Sequence, residues 1–374
     1  MIQKSVIIAI LLTVNSLGIE SETTFENSNF TLSSPLDGNG DQVLWNTNRF
    51  RLTQQAQEGA WFATAIGDIE NILGRDMINS PSYKTVSSVR SDTPFSIQTK
   101  SYNYTEGEMY AQLYRLYGGY SDEKQRVSLG LQKVSMGVGR MWNPTDLFNP
   151  KNPFALEPDE VYGVFALAYT YSPSSLSQIT AVVAERADHS FKYAGRVKGY
   201  LGIADGAIDV VSANDVTMIG YELEGELMKS GIELRSEGGW FDDKLLHKQF
   251  FQGLVGADYA FENSLILIGE WLHTSKTFEH EMLFQLPSGA SNNLVRAHDY
   301  MGVGMNYQFT PLLYGTLSSI VSMDDGSFYV GPMVSYSLED DFSVAFGSMF
   351  YGGKSGSELG QLGQTYYVNV KITF

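Results

Sequence analysis

Apolar and polar side chains alternate along most of this chain, in segments of roughly ten residues separated by clusters of Gly, Pro, Asn, Asp and Ser. The last segment is the clearest. Tyr366, Val368, Val370, Ile372 and Phe374 fall on one face, and Thr365, Tyr367, Asn369, Lys371 and Thr373 on the other. A period of two belongs to a β-strand whose two faces meet different surroundings. Moving back from the C-terminus, the alternation predicts strands at 341–351, 326–338, 311–323, 296–309, 264–276, 248–261, 230–241 and 216–227. Before these come 206–214, 191–203, 177–188, 161–172, 125–136, 108–121, 60–71 and 42–56. With the C-terminal strand these make 17. A closed antiparallel barrel with both ends on one side needs an even number. Phe30-Thr31-Leu32-Ser33-Ser34 is therefore added as a first strand, giving 18, with 16 the next choice.

The joints alternate too: 338–341, 309–311, 261–264 and 228–230 are tight turns, whereas 277–295 and 352–363 are long and polar. Short turns on one side and long loops on the other are the pattern of transmembrane barrels. A soluble β-sandwich also alternates, but the position of the charges separates the two. On 216–227 one face is Ile219, Tyr221, Leu223, Gly225 and Leu227, and the other is Gly220, Glu222, Glu224 and Glu226. Ile232, Leu234 and Trp240 oppose Glu233, Arg235 and Glu237 in the same way. A lipid face outside and a watery lumen inside explain such strands, because charge is hydrated in a lumen and costly against lipid. Aromatic residues collect at strand ends (Trp45, Trp61, Tyr171, Trp240, Trp271, Tyr307, Tyr336, Phe350), as interfacial girdles require. The expected fold is all-β, a single transmembrane antiparallel β-barrel of about 18 strands over residues 19–374.

Composition narrows the chemistry. There are 37 Gly, 21 Phe, 22 Tyr, 5 Trp and no Cys among 374 residues, so disulfides, thiolate zinc sites, iron–sulfur clusters and a cysteine nucleophile are excluded. A formal charge of -17 argues against a nucleic-acid partner. Met1–Lys4 followed by the apolar run Val6–Leu12 reads as a secretory signal peptide, residues 1–18, with cleavage between 16 and 21. No later apolar run is long enough to span a bilayer as a helix.

The alternation turns Arg49, Arg51, Arg126, Arg196, Lys198 and Arg235 inward, together with Glu222, Glu224, Glu226, Glu233, Glu237, Asp258 and Glu270. Opposed acidic and basic ladders on a lumen wall create a transverse field that filters polar solutes. The same charges could instead pair and fill the interior. The glutamates of 216–237 point to cation preference. Acidic external segments such as Asp324-Asp325, Asp242-Asp243 and Glu279 with Glu281 are suited to cation bridges to lipopolysaccharide.

Long loops are expected at 72–107, 137–160, 277–295 and 352–363. The second of these, with three prolines among large apolar side chains between Gly137 and Phe154, reads as a packed loop. Here Leu129-Gly130-Leu131-Gln132-Lys133 leads into Gly139-Arg140-Met141-Trp142-Asn143-Pro144-Thr145-Asp146-Leu147-Phe148-Asn149-Pro150. That passage resembles porin-like families of Gram-negative outer membranes, whose glycine-rich strand runs into a G-R-x-W-N-P-x-D-L-x-N-P segment. It departs at Leu131, where a basic residue is expected. The terminal Phe374 on an alternating strand resembles the C-terminal signature of outer-membrane barrels, which implies handling by the barrel-assembly machinery. The resemblance implies a channel for small hydrophilic solutes that needs no cofactor and no metal, in an outer membrane of lipid and lipopolysaccharide. A homotrimer and a monomer both remain open.

Within 137–160 the expectation is an inward-folded constriction exposing Arg140, Asp146 and Lys151 to the pore and packed by Trp142 and Phe148, against an external cap as the alternative. The five histidines lie outside any recognisable triad: His189-Ser190 follows Asp188, and His280 sits between Glu279 and Glu281, spacings that build neither a hydrolase site nor a four-ligand metal site. The expectation is therefore a non-enzymatic channel. A barrel with a blocked lumen and an adhesion, receptor or structural role is the other reading.

Overall fold

The computed structural model describes residues 20–36, 41–88, 91–278 and 295–374. The leader, and 279–294 with His280 and its two glutamates, lie outside the described residues. Three long strands come first, β1 (Glu20–Pro35), β2 (Gln42–Glu58) and β3 (Trp61–Leu73). The connection to the next long strand holds two helices, α1 (Arg75–Asn79) and α2 (Pro81–Ser88), and the short β4 (Tyr102–Tyr104), where the sequence pattern predicts only loop. Then come β5 (Gly107–Ser121), β6 (Gln125–Gln132), β7 (Val164–Ser174), β8 (Ser177–Glu185), β9 (Phe191–Tyr200) and β10 (Asp205–Ser212). The remainder are β11 (Val216–Glu226), β12 (Ile232–Asp243), β13 (Lys248–Ala260), β14 (Leu265–Thr274), β15 (Asp299–Thr310), β16 (Leu313–Ser322), β17 (Phe328–Glu339), β18 (Phe342–Gly352) and β19 (Thr365–Thr373).

Each long strand pairs antiparallel with the next, and β19 pairs with β1, so 18 strands form a closed ring and β4 bonds to β5 outside it. Closure removes the sheet edges everywhere but beside β5, as a barrel in hydrocarbon requires. The first strand runs well beyond the expected 30–34, down to Glu20, and Phe25 exchanges two 2.8 Å backbone bonds with Phe374 where the ring closes. Beside β5 the ring is patched. Because β6 leaves the wall at Gln132, it pairs only with residues 116–121 of β5. The free edge above is taken by the returning chain, through β4, Leu113 N–H to Ile97 O at 2.8 Å and Thr99 N–H to Ala111 O at 2.9 Å. A backbone edge in a membrane needs such partners, and that need explains β4.

Alternation separates the two faces as expected. Ile219, Tyr221 and Leu223 are exposed, while Met218, Gly220 and Glu222 between them are buried. Trp61, Tyr171, Trp240, Trp271 and Tyr336 are exposed on the outside. Trp45 is a correction to the girdle: it is paired in register with the buried Leu32 and donates Nε1–H to Ser34 Oγ at 2.9 Å, so it packs inside.

Val370 faces outward at the middle of β19, and its neighbour Asn369 faces inward. Val370→Lys should lower barrel stability by about 2–4 kcal/mol and Asn369→Lys by far less, measured by denaturant titration in lipid. Equal losses would contradict the assignment of faces.

Candidate functional site

The chain between β6 and β7 departs from the wall at Gln132 and rejoins it at Val164, and residues 142–150 along it are buried without a break. Its fold is organised by Asp146. One carboxylate oxygen accepts the N–H groups of Phe148 and Asn149, at 2.9 and 2.7 Å, and the other accepts Met136 N–H at 3.1 Å. Asn149 Oδ1 takes Val134 N–H at 2.8 Å, and Asn143 Oδ1 takes Lys151 N–H at 2.7 Å. Burial raises the Asp146 carboxyl to about 6, although the three N–H donors favour its charged form.

On one side the loop is tied to the wall through its backbone. Gly137 N–H donates to Glu222 at 2.7 Å. Glu237 accepts from Val138 N–H, from Gly139 N–H at 2.8 Å, and from the N–H and hydroxyl of Thr145, each at 3.2 Å. Glu270 accepts from Arg140 N–H at 2.5 Å and Met141 N–H at 2.8 Å. A loop cannot use the sheet ladder, so its donors need acceptors from the wall, and inward carboxylates supply them. Gly137 permits the approach. Its φ is 88°, and a Cβ there would stand 2.6 Å from a Glu237 oxygen. Gly302 on β15 likewise leaves room for the Trp142 ring. Lys192 donates to Leu147 O at 2.7 Å and lies 5.3 Å from the Phe148 ring centre.

The other end of the loop is tied through side chains. Glu157 meets Arg49 in a two-pronged contact at 2.8 Å, and Glu160 meets Arg51 in another at 2.9 Å. Arg51 also grips Asp68 at 2.8 and 2.9 Å, and its guanidinium lies 4.0 Å from the Tyr114 ring centre, as does that of Arg115. Burial alone would raise the Glu160 carboxyl. Hydrogen bonds from Arg51 and Tyr114, with the charges of Arg51 and Arg49, outweigh it and hold the group down at about 2. In the ring β2 is second and β12 eleventh of 18 strands, so Arg49 and Arg51 lie diametrically across from Glu237. The loop therefore crosses the lumen.

Several expected site residues occupy other environments. Asp146 is fully buried inside the loop and does not face the pore. Lys151 turns its ammonium to Gly139 O at 2.9 Å. Trp142 and Phe148 are buried, the former 6.3 Å from the Tyr300 ring. Arg140 is left half-exposed, reaching Glu224 at 3.0 Å, Asp258 at 3.2 Å and Glu233 at 3.5 Å, and burial notwithstanding these acids raise its pKa. Among the wall residues Arg235 is buried between Asp258 and Glu270, and Arg196 pairs with Glu222 and lies 3.6 Å from the buried Asp209. Glu226 is exposed and caps a turn through Gly231 N–H at 2.9 Å. Arg126 stacks 4.1 Å from the Phe62 ring, and Lys198 faces inward without an ion pair among the described residues. The sequence reading missed Glu157, Glu160, Lys192, Asp209 and Tyr114. Glu157 and Glu160 had a signal in their spacing, two acids three apart facing two arginines two apart. His189, His273 and His298 each contact one carboxylate, and among the described residues no group of three or more His, Cys, Asp or Glu side chains could hold a metal.

No protein-family model and no curated protein matches the chain. Solved structures do. OccAB4 of Acinetobacter baumannii aligns with a TM-score of 0.64 at 11% identity, covering 95% of this chain and 98% of that one. OccK5 (OpdH) of Pseudomonas aeruginosa aligns with a TM-score of 0.63 at 10% identity, over the same shares of 95% and 98%. OpdK, an outer membrane protein of P. aeruginosa crystallised with vanillate, aligns with a TM-score of 0.60 at 10% identity, again over 95% and 98%. At these identities the likeness is one of fold, a porin-like barrel.

Two outcomes follow. Glu237→Ala leaves three backbone N–H groups without an acceptor, at about 1–3 kcal/mol each. Amide exchange at Val138, Gly139 and Thr145 should speed up while the wall stays protected, and unchanged exchange would mean that Glu237 does not hold the loop. The Glu160 contact, whose carboxyl is held at about 2 against an ordinary 4.5, is at full strength above pH 4.5 and is lost as pH falls towards 2. The Glu160 step in the pH dependence of ion conductance should therefore lie below pH 4.5, apart from any step that Asp146 contributes near 6, and Glu160→Gln should remove the lower step alone.

Proposed function

We propose that this protein is an outer-membrane, porin-like channel for passive diffusion of small hydrophilic solutes, in which residues 137–160 form the constriction. The observation that carries this reading is the loop tied to both sides of the lumen, by Glu222, Glu237 and Glu270 on one side and by Arg49 and Arg51 on the other. Such a strut divides the lumen and leaves passage only beside it. The Occ and Opd barrels share the fold, and OpdK, crystallised with vanillate, supports a solute of that size for this reading. Export follows the N-terminal leader, with insertion by the barrel-assembly machinery reading the Phe374 strand. The membrane partners are lipid and lipopolysaccharide.

The charges divide by role. Glu222, Glu237 and Glu270 are taken up by the loop, so selectivity falls to the half-exposed Arg140 and Glu233 with the less exposed Glu224 and Asp258, the last also held by Arg235. Four groups with three negative charges favour cations on that side of the passage. No catalytic step is required of any residue.

Deleting Asn143 to Pro153 should raise single-channel conductance several-fold in a planar bilayer and admit larger uncharged solutes, with the barrel still resistant to heat, because the ladder of the wall is untouched. Unaltered conductance would make the loop an external cap, and absence of conductance in both proteins would favour a blocked barrel with a structural role. Glu224→Gln with Glu233→Gln should shift the reversal potential towards anions. An unaltered potential would remove these two residues from the passage.

A further inference from the structure

The outward face is apolar at mid-height around most of the ring, and one sector departs from it. On β1, β2 and β3 the outward positions include Asn27, Asn29, Thr31, Asn46, Asn48 and Asn71. Register gives their depth. Asn29 stands opposite Val370 of β19, Thr31 opposite Val368 and Asn27 opposite Ile372, between the aromatic ends Tyr366 and Phe374 of the same face. On β2 the two asparagines lie between Leu44 and Phe50, 73% and 44% exposed. Asn29, Asn48 and Asn71 are register partners and make one row across three strands.

Part of this network is satisfied within the chain. Asn27 Nδ2–H donates to Asn48 Oδ1 at 2.8 Å, Asn46 Nδ2–H to Asn29 Oδ1 at 2.9 Å, and the Tyr104 hydroxyl to Asn71 Oδ1 at 2.6 Å. The amide nitrogens of Asn48 and Asn71 have no acceptor among the described residues. Hydrocarbon offers none either, and an unanswered donor in a bilayer is costly. At comparable depth β18 and β19 present Val344, Phe346, Val368 and Val370, as a lipid-facing wall should.

We infer that the β1–β3 face does not meet lipid but seats a second copy of this chain, the same face on each. The occupant must lie inside the bilayer and supply amide donors and acceptors at this depth. The patch is uncharged, and each asparagine carries two N–H donors and a carbonyl acceptor, so the patch is complementary to itself. Two copies inserted in the same direction are related by an axis along the membrane normal, which brings together residues of equal depth. Asn48 at the centre of the patch then meets Asn48 of the second copy, with Leu44, Phe50 and Ile69 closing the contact around the amides. Among the described outward residues no other sector carries amides at mid-height, so contact with a different face would leave them unanswered. The inference rests on the barrel spanning a membrane and is independent of whether its lumen conducts.

The chain contains no cysteine, so one introduced thiol reports alone. In the outer membrane of intact cells, Asn48→Cys should give a covalent dimer on mild oxidation, and Ile208→Cys, on the outward face of β10, should not. The full chain in mild detergent should have the mass of two chains by light scattering, because a contact of the same face on each copy closes at a dimer. The variant carrying Asn29→Leu, Asn48→Leu and Asn71→Leu should be monomeric while keeping its heat resistance and conductance. Asn48→Cys that stays a single chain, equal linking at Ile208→Cys, or a wild-type monomer carrying lipopolysaccharide on this face would overturn the inference.

Discussion

Every backbone N–H and C=O inside a membrane barrel needs a partner, and that requirement governs both the wall and what the wall encloses. The 18 strands meet it by closing on themselves. The chain that leaves β6 at Gln132 gives up the ladder and has to find acceptors in the lumen. It finds them in Glu222, Glu237 and Glu270, whose buried carboxylates in turn need donors. Neither party is stable alone, which is why Glu237 can be buried with no ion pair among the described residues, while Glu222 and Glu270 share their oxygens between the loop and Arg196 and Arg235. The arginine pair across the lumen then fixes the far end of the same loop.

Most of the wall was legible from alternation alone, because a strand with lipid on one side and water or protein on the other must alternate. All 18 ring strands were placed, most ends to within about three residues, and the two larger departures have causes besides alternation. The expected strand 125–136 stops at Gln132 because the loop begins there, and the expected 30–34 extends to Glu20 because its outer end pairs with β2 where polar residues no longer alternate. The helices and β4 were invisible, since β4 exists to cover an edge that β6 abandons, a tertiary cause without local pattern.

The candidate site was legible in its residues and less so in their roles. Alternation says that Glu237 or Arg51 points inward. It does not say whether the partner is water or a loop. Asp146 shows the difference: a charged residue in a loop normally faces solvent, yet here it is the acceptor around which the loop turns. Arg140, with similar sequence credentials, is half-exposed because its three acidic neighbours lie on the wall and not in the loop. The asparagine sector on the outer face carried a signal in the alternation itself, polar residues on the side assigned to lipid.

The central claim is that the loop crosses an open lumen and narrows it. Partitioning of polyethylene glycols of graded size into the wild-type channel, read as their effect on single-channel conductance, tests this most directly. The account predicts a measurable conductance with exclusion of all but the smallest polymers, well below the size that the bore of an unobstructed 18-strand barrel admits. Free entry of polymers as wide as that bore would contradict it.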